Sequence, residues 1–300
     1  MHVFITGASG LIGQHLCKSL NKRDGIVLSG LSRNSKKAGR KNPIVNHWHN
    51  NFDTVDFSQI DGVINLAGEP IADRRWSSTR KQALTTSRVD LTHTLVDRML
   101  QPSNPPQWLI SGSAIGYYGR QGSERISETF TNCHDEFSHT LCRDWEAATQ
   151  PANDASIRVC LLRTGLVLAR NGGALKKMIR PFQLGLGGPV GSGDQWMSWI
   201  HIDDMVRAIE HLIDNSNLHG PFNCTAPHAV TNLDFSRVLA KLLNRPCAFK
   251  VPHMAMKTLL GEMSDLLLYG QHVVPTALRD SGFEFSYPAL ENALVDLLRP

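Results

Sequence analysis

Residues 3–13 read VFITGASGLIG, and the order of residue types in this stretch decides the fold. Val3 to Thr6 is a short apolar run rich in β-branched side chains, which predicts a strand. Gly7-Ala8-Ser9-Gly10 follows at once, and from Leu11 onward the apolar residues Leu11, Leu16 and Leu20 recur at helical spacing. Strand, glycine turn and helix in that order form the first unit of an open parallel sheet that binds phosphate at its first turn. Gly7 lets the chain leave the strand sharply. Gly10 removes a side chain that would stand between backbone and phosphate. Gly13 lets the helix approach the sheet. Gly7, Ser9, Gly10, Leu11, Ile12 and Gly13 are therefore candidate contacts to a dinucleotide.

The second strand is predicted over 26–31 and runs into Ser32-Arg33, with Lys36 and Lys37 beyond. An acidic residue there would hold the ribose diol of NAD. A serine and an arginine instead suit a 2′-phosphate, so NADP(H) is expected ahead of NAD(H), with Ser32 and Arg33 as contacts. GVINLAG at 62–68 predicts another strand, placing Asn65, Leu66, Ala67 and Gly68 at the sheet edge where ligands collect. A long helix is expected over 79–100, with Arg74, Arg75, Arg80, Lys81 and Arg88 clustered around its start. That charge either attracts an anionic ligand or keeps a surface helix soluble. His47 and His49 flank Trp48 without nearby ligands of metal spacing, and no metal is expected.

WLISGSAIGYYG at 108–119 predicts a strand followed by a tight turn. Ser111 and Ser113 are two apart and share a face of that strand. Tyr117 and Tyr118 follow. A hydroxyl beside a nicotinamide orients a carbonyl or alcohol, and a phenol can exchange its proton. Ser113, Tyr117 and Tyr118 are the candidate catalytic residues, with Ser111 on the cofactor side. The next helix, 137–150, contains neither Tyr nor Lys; His139 and Arg143 share one of its faces, and Cys142 reads as packing. RVCLLRTGLVL at 158–168 predicts a buried strand turning near Gly165. The Gly/Pro-rich stretch 184–198 predicts an irregular segment, with Met178, Phe182, Trp196, Met197 and Trp199 suited equally to the apolar walls of a pocket or to core packing. WIHIDD at 199–204 predicts a strand passing into a helix over 205–213 capped by Asp203 or Asp204. A last sheet strand is expected over 220–226, helices over 231–243 and 254–269, and a final helix opened by Pro288.

Composition narrows the function classes. The chain has 300 residues, 41% of them hydrophobic, enough for one large core or a core with a smaller lobe. A formal net charge of +4 without a basic tract argues against nucleic acid as a partner. No apolar stretch is long enough for a membrane span. No leader pattern precedes the first strand. The six cysteines form no CxxC pair. A cytoplasmic protein, monomer or homodimer, with a small-molecule substrate is expected.

Taken together, TGASGLIG (6–13), VINLAGEPI (63–71), SGSAIGYYG (111–119), LCRDWE (141–146), LRTGLVLARNGGAL (162–175), GSGDQWMSWIHIDD (191–204), GPFNCTAP (220–227) and GFEFSYPALENAL (282–294) carry a resemblance. The chain resembles an extended, atypical short-chain dehydrogenase/reductase of the NAD-dependent epimerase/dehydratase kind, and within it the YfcH-type epimerase-family proteins with their own C-terminal domain. The resemblance implies an α/β, Rossmann-type doubly wound parallel sheet with a smaller C-terminal substrate lobe. The dinucleotide-binding part is expected over 1–169 plus 200–226, and the substrate lobe over 170–199 plus 227–300. In that superfamily a serine after the fifth strand works with a YxxxK pair on the following helix. Ser113 matches the serine, whereas Ser138 and Cys142 occupy the tyrosine and lysine positions. The implied function is an NADP(H)-dependent oxidoreductase or epimerase-like protein acting on a carbonyl/alcohol centre. The alternative is a nicotinamide-nucleotide-binding sensor or interaction protein with weak or no turnover.

Overall fold

Seven parallel strands form the central sheet of the computed structural model, which describes residues 1–298. In chain order they are β1 (His2–Thr6), β2 (Val27–Leu31), β3 (His47–His49), β4 (Gly62–Asn65), β5 (Trp108–Ala114), β6 (Arg158–Thr164) and β7 (Gly220–Cys224). Their spatial order is β7-β6-β5-β4-β1-β2-β3. The chain therefore winds outward from β1 in both directions, and the reversal between β1 and β4 opens a crevice at their C-terminal ends. The register sets Thr6 beside Asn65, Asn65 beside Ser111, and Ser113 beside Arg163.

Strand parity explains the layers. Val3, Ile5, Ile64, Ile110 and Leu162 face α1 (Leu11–Leu20) and α8 (Ile202–Asp214), against Leu16, Leu20, Met205, Ile209 and Leu212. Phe4, Val63, Leu109 and Val159 face the other way, against Leu95, Val96 and Met99 of α4 (Leu91–Met99). Each of these buried side chains contributes about 1.5–3 kcal/mol through removal from water. Between β2 and β3 lies α2 (Ser35–Lys41); α3 (Ser78–Thr85) precedes α4, and α5 (Phe137–Ala147) and α6 (Gln150–Asp154) follow β5.

A second core joins the short parallel pair Leu166–Ala169 and Trp199–His201 to α7 (Gly173–Gln183), α9 (Asn232–Leu242) and α13 (Leu290–Leu298), around Leu168, Phe182, Trp199, Phe235, Leu239, Leu290 and Leu294. Of the two expected roles, Phe182 and Trp199 take core packing, and Trp196 stacks on His272 at 3.8 Å. The short helices α10 (His253–Leu260) and α11 (Asp265–Leu268) follow, and α12 (Thr276–Asp280) places Leu278 in the main-sheet core with Phe222 of β7. No helix among the described residues is long and apolar enough to cross a membrane.

Four local expectations are corrected. The helix over 79–100 is interrupted by a π turn at Thr86–Asp90. The helix over 254–269 breaks at Gly261, whose φ of +59° ends α10. The final helix begins at Leu290, not at Pro288. Helix α8 starts at Ile202 and is capped by neither aspartate. The His201 Nδ1 accepts the Asp203 N–H at 3.1 Å, while the buried Asp204 carboxylate accepts from the backbone of Ser286 (2.9 Å) and Tyr287 (2.8 Å) and ties the C-terminal segment to the helix.

Candidate dinucleotide and substrate site

The first turn is a cradle in which two glycines are sterically obligatory and the third is open. Gly7 has φ +71°, and a side chain there would meet Leu66 O at 2.5 Å. A side chain at Gly13 would meet Gly7 O at 2.4 Å and Ala8 Cα at 2.7 Å. At Gly10 the only neighbour is Gly7 O at 3.0 Å, so a methyl there would project into the crevice. Gly10 precedes α1 without any side-chain cap, which leaves the Leu11, Ile12 and Gly13 end of the helix facing that crevice. Lys41 Nζ and Gln14 Nε2 both donate to Ser9 O at 2.8 Å, and Asn42 Nδ2 donates to Ala8 O at 2.9 Å, so the turn is held from behind. These features fit a diphosphate lying against bare backbone.

At the end of β2, Ser32 is engaged in a local turn with Asn34. The Arg33 side chain is 93% exposed and pairs with Glu69 at 3.1 Å; Glu69 also meets Arg80 at 3.4 Å. Past β4, a buried polar floor closes the crevice. Asn65 accepts from Thr6 Oγ1 (2.6 Å) and donates to Thr92 Oγ1 (2.8 Å) and Ser111 Oγ (3.2 Å); Trp145 Nε1 also donates to Thr92 (3.1 Å). Ala67 N donates to Thr6 Oγ1 at 3.2 Å, which fixes the Leu66-Ala67-Gly68 backbone at the rim. Asn65 and Ser111 therefore shape the floor through each other.

Beside this floor lies a charged cluster. Ser113 Oγ donates to Glu146 Oε1 at 2.6 Å, and Arg163 grips both Glu146 oxygens at 2.9 Å. All three side chains are buried or nearly so. The guanidinium lies 3.6 Å from the Tyr117 ring centroid. Burial works to lower the Arg163 pKa, but Glu146, aided by Tyr118, outweighs it and the net shift is upward.

Tyr118 is placed differently from the catalytic expectation. Its side chain is fully buried, its hydroxyl donates to Asn223 Oδ1 at 2.7 Å and accepts from Arg163 at 3.1 Å, and burial pushes its pKa up to about 12. It braces Arg163 and has no path to a substrate proton. Tyr117 is half-buried beside Ser113's cluster, and its carbonyl meets the His139 ring. Ser138 is buried and donates to Glu136 at 2.6 Å, and burial drives the Cys142 thiol up to about 12. Neither offers a base.

Glu146 and Arg163 lie inside the motifs LCRDWE (141–146) and LRTGLVLARNGGAL (162–175), where no role was expected of either side chain. The signal was present: an arginine near the end of a predicted buried strand needs a buried counter-charge. The only spatial cluster of metal-ligating types among the described residues is His201, Asp203 and Asp296. With Nδ1 accepting the Asp203 N–H, neutral His201 carries its proton on Nε2, 3.3 Å from Asp296, so neither nitrogen has a lone pair free for a metal.

Residues 3–225 match the family described as "NAD dependent epimerase/dehydratase family", and residues 251–297 match a domain of unknown function, DUF1731. "Epimerase family protein MT2273" of Mycobacterium tuberculosis (strain CDC 1551 / Oshkosh) is 39% identical over 299 residues, covering 97% of this chain and 96% of its own. The crystal structure of human epimerase family protein SDR39U1 with NADPH is 31% identical, superposes with a TM-score of 0.90 and covers 99% of both chains. The nucleoside-diphosphate sugar epimerase of Corynebacterium glutamicum is 31% identical with a TM-score of 0.79, and this chain spans 58% of its length. More distant structures are complexes with NAD: UDP-glucuronic acid 4-epimerase of Bacillus cereus (18% identical, TM-score 0.78) and MoeE5 (21%, 0.76). NAD is thus the commoner occupant among these relatives, and Arg33 is already paired with Glu69. The expected order of NADP(H) ahead of NAD(H) is overturned.

Proposed function

The chain belongs to the NAD dependent epimerase/dehydratase family, and from that premise we propose that it binds a nicotinamide dinucleotide across the C-terminal ends of β1 and β4 and acts on a carbonyl/alcohol centre of a small molecule. Within the family we assign it to the YfcH-type branch, on the motifs spread along its length. The substrate class we favour is a nucleoside-diphosphate sugar or a similar compound, which the name of the C. glutamicum relative supports.

The observation that carries this reading is the cradle in which Gly7 and Gly13 are locked by backbone while Gly10 is left open toward the crevice. Gly7, Ser9, Gly10, Leu11, Ile12 and Gly13 would hold the diphosphate. Ser32 and Arg33 would lie on the adenosine side. Leu66, Ala67 and Gly68, braced by Asn65 and Ser111, would line the nicotinamide side. When bound, the nicotinamide supplies hydride donation or acceptance.

The remaining chemistry falls to the chain's own side chains. Glu146 fixes the Ser113 hydroxyl proton, which leaves the Ser113 lone pairs to accept from a substrate hydroxyl. Arg163 holds Glu146 in place by its two-pronged contact. Tyr117 is the remaining proton-exchanging group at this end of the site, and Tyr118 braces the pair from behind. Residues 1–169 plus 200–226 would form the dinucleotide-binding part and 170–199 plus 227–300 the lobe that selects the substrate.

A second reading, a nucleotide-binding sensor, is favoured by one observation: α5 presents Ser138 and the inert Cys142 and no Tyr or Lys. One experiment separates the two. Oxidation of NADH and NADPH is followed against a panel of carbonyl compounds and nucleoside-diphosphate sugars, with Ser113→Ala and Tyr117→Phe alongside. Turnover that drops at least about tenfold in either variant supports the enzyme; turnover equal to wild type in both refutes the catalytic assignment. Tight nucleotide binding with no turnover on any substrate supports the sensor.

A further inference from the structure

The smaller lobe turns an apolar surface outward. Among the described residues, seven of the nine exposed large apolar side chains fall in residues 184–186 and 249–267. Helix α10 is the clearest case. It buries none of its residues, and helical spacing turns Met254, Ala255, Thr258 and Leu259 to solvent together, while Met256, Lys257 and Leu260 are half-buried beneath them. Met254 is 73% exposed and Leu259 68%. A surface helix ordinarily does the reverse and keeps its charge outside. The only lysine of α10, Lys257, is instead drawn in to Asp265.

The two stretches form one surface. Val251 lies beside Val190; its N–H donates to Pro189 O at 2.9 Å and its carbonyl accepts from Gly191 N at 2.9 Å. Arg245 Nε donates to Gln183 O at 3.2 Å, so residues 183–191 and 245–251 run side by side. Leu184, 75% exposed, stands on this ribbon with Leu186 and Phe249, and the ribbon leads into α10 at His253. Charge identifies what covers the surface. Residues 170–193 contain Arg170, Lys176, Lys177 and Arg180 and no Asp or Glu; residues 245–261 contain Arg245, Lys250 and Lys257 and again no Asp or Glu. Lys177 and Lys257 are paired with Asp73 and Asp265. Lys176, Arg180, Arg245 and Lys250 are exposed and, among the described residues, have no carboxylate within ion-pair distance. A second copy of the chain docked by the same face would bring two basic, acid-free segments together, a like-charge contact that opposes binding. The apolar side chains project and do not line a groove. A flat anionic layer with an apolar interior fits them, because cations reach its phosphates while apolar tips enter the acyl boundary.

We propose that the smaller lobe docks on the surface of an anionic lipid bilayer. Leu184, Leu186, Phe249, Met254 and Leu259 enter the boundary of the acyl layer, and Lys176, Arg180, Arg245 and Lys250 meet the headgroup phosphates. This is attachment to one face of a membrane and not a span. Exposed apolar side chains of this size, grouped on one surface, are costly in water and mark a place where something covers them.

The test is co-sedimentation of the full-length chain with vesicles of phosphatidylcholine alone and of phosphatidylcholine with about one-third phosphatidylglycerol. Wild type is expected to bind the mixed vesicles at least about tenfold better than the neutral ones, and to come off as salt is raised. The double variant Leu184→Ser, Leu259→Ser should weaken that binding by about tenfold or more, and so should Lys176→Gln with Arg180→Gln. All four side chains are exposed, so both variants should melt near wild type; the charge variant carries the test if the serine variant melts early. Wild type that binds neither vesicle overturns the proposal, and so does equal binding to both. Binding to the mixed vesicles that neither variant weakens also overturns it, because another surface would then hold the lipid. Sedimentation velocity without lipid covers the competing occupant. A concentration-dependent dimer that the serine variant abolishes, in a chain that ignores vesicles, would make this a face between two copies and overturn the proposal.

Discussion

Gly10→Ala and Gly13→Ala should separate binding from folding at the first turn. At Gly10 the backbone has φ −77°, open to any residue, and the added methyl would touch only Gly7 O at 3.0 Å. Replacing glycine by alanine at a helix N-cap costs about 1 kcal/mol or less, about 2 °C in melting temperature for a chain of this size. The same methyl projects into the space a diphosphate must enter and pushes it away from the helix-end N–H groups. Losing one charge-assisted hydrogen bond costs about 1.5–3 kcal/mol, which weakens nucleotide binding by about 10- to 100-fold. At Gly13 the methyl would lie 2.4 Å from Gly7 O, 2.7 Å from Ala8 Cα and 3.0 Å from Ala8 C, all backbone atoms in a pinned turn. Overpacking of this kind costs about 1–3 kcal/mol, and the roughly 1 kcal/mol that alanine returns inside a helix does not cancel it. The assay pairs thermal melting of the free protein with titration of NADH and ADP. Gly10→Ala should melt near wild type and bind poorly; Gly13→Ala should melt several degrees lower. If Gly10→Ala bound nucleotide like wild type, no phosphate would lie against that turn. If it unfolded as readily as Gly13→Ala, the steric argument would be wrong.

Two further outcomes follow from buried titrating groups. Tyr118 has its pKa raised by burial to about 12, above the unfolded value of about 10, so its contribution to stability is complete below pH 10 and is lost as pH rises toward 12. Urea unfolding across that window should show Tyr118→Phe losing up to about 1.4 kcal/mol per pH unit of alkaline sensitivity relative to wild type; parallel curves would contradict the burial argument. His201 has the opposite sign. Burial lowers its pKa, so stability present above about pH 6.5 is lost as pH falls below that value. His201→Gln should flatten this acid slope while costing about 0.5–2 kcal/mol at pH 8 from the weakened cap of α8. An acid slope identical to wild type would show that His201 does not titrate with unfolding.

The sequence by itself determined the sheet and its glycine turn. Strand parity and glycine spacing are local, and a run such as VFITGASGLIG has few other ways to bury its apolar residues while satisfying its backbone. The positions of Gly7, Gly10, Gly13, Asn65, Ser111 and Ser113 were legible for that reason. What the tertiary structure decided were the pairings between distant segments. Arg33 looked free for a phosphate but lies beside Glu69, 36 residues on, because the loop after β4 reaches the end of β2. Tyr117 and Tyr118 looked equivalent, and their rings lie 5.6 Å apart against the same guanidinium, yet their burial and hydrogen bonding differ. One is half-buried under the Arg163 guanidinium, and the other is locked to Asn223, 105 residues away. The Ser113–Glu146–Arg163 cluster exists only because β5, α5 and β6 bring three separate segments to one point. A buried charge announces in the sequence that it needs a partner, but folding of the whole chain chooses which one.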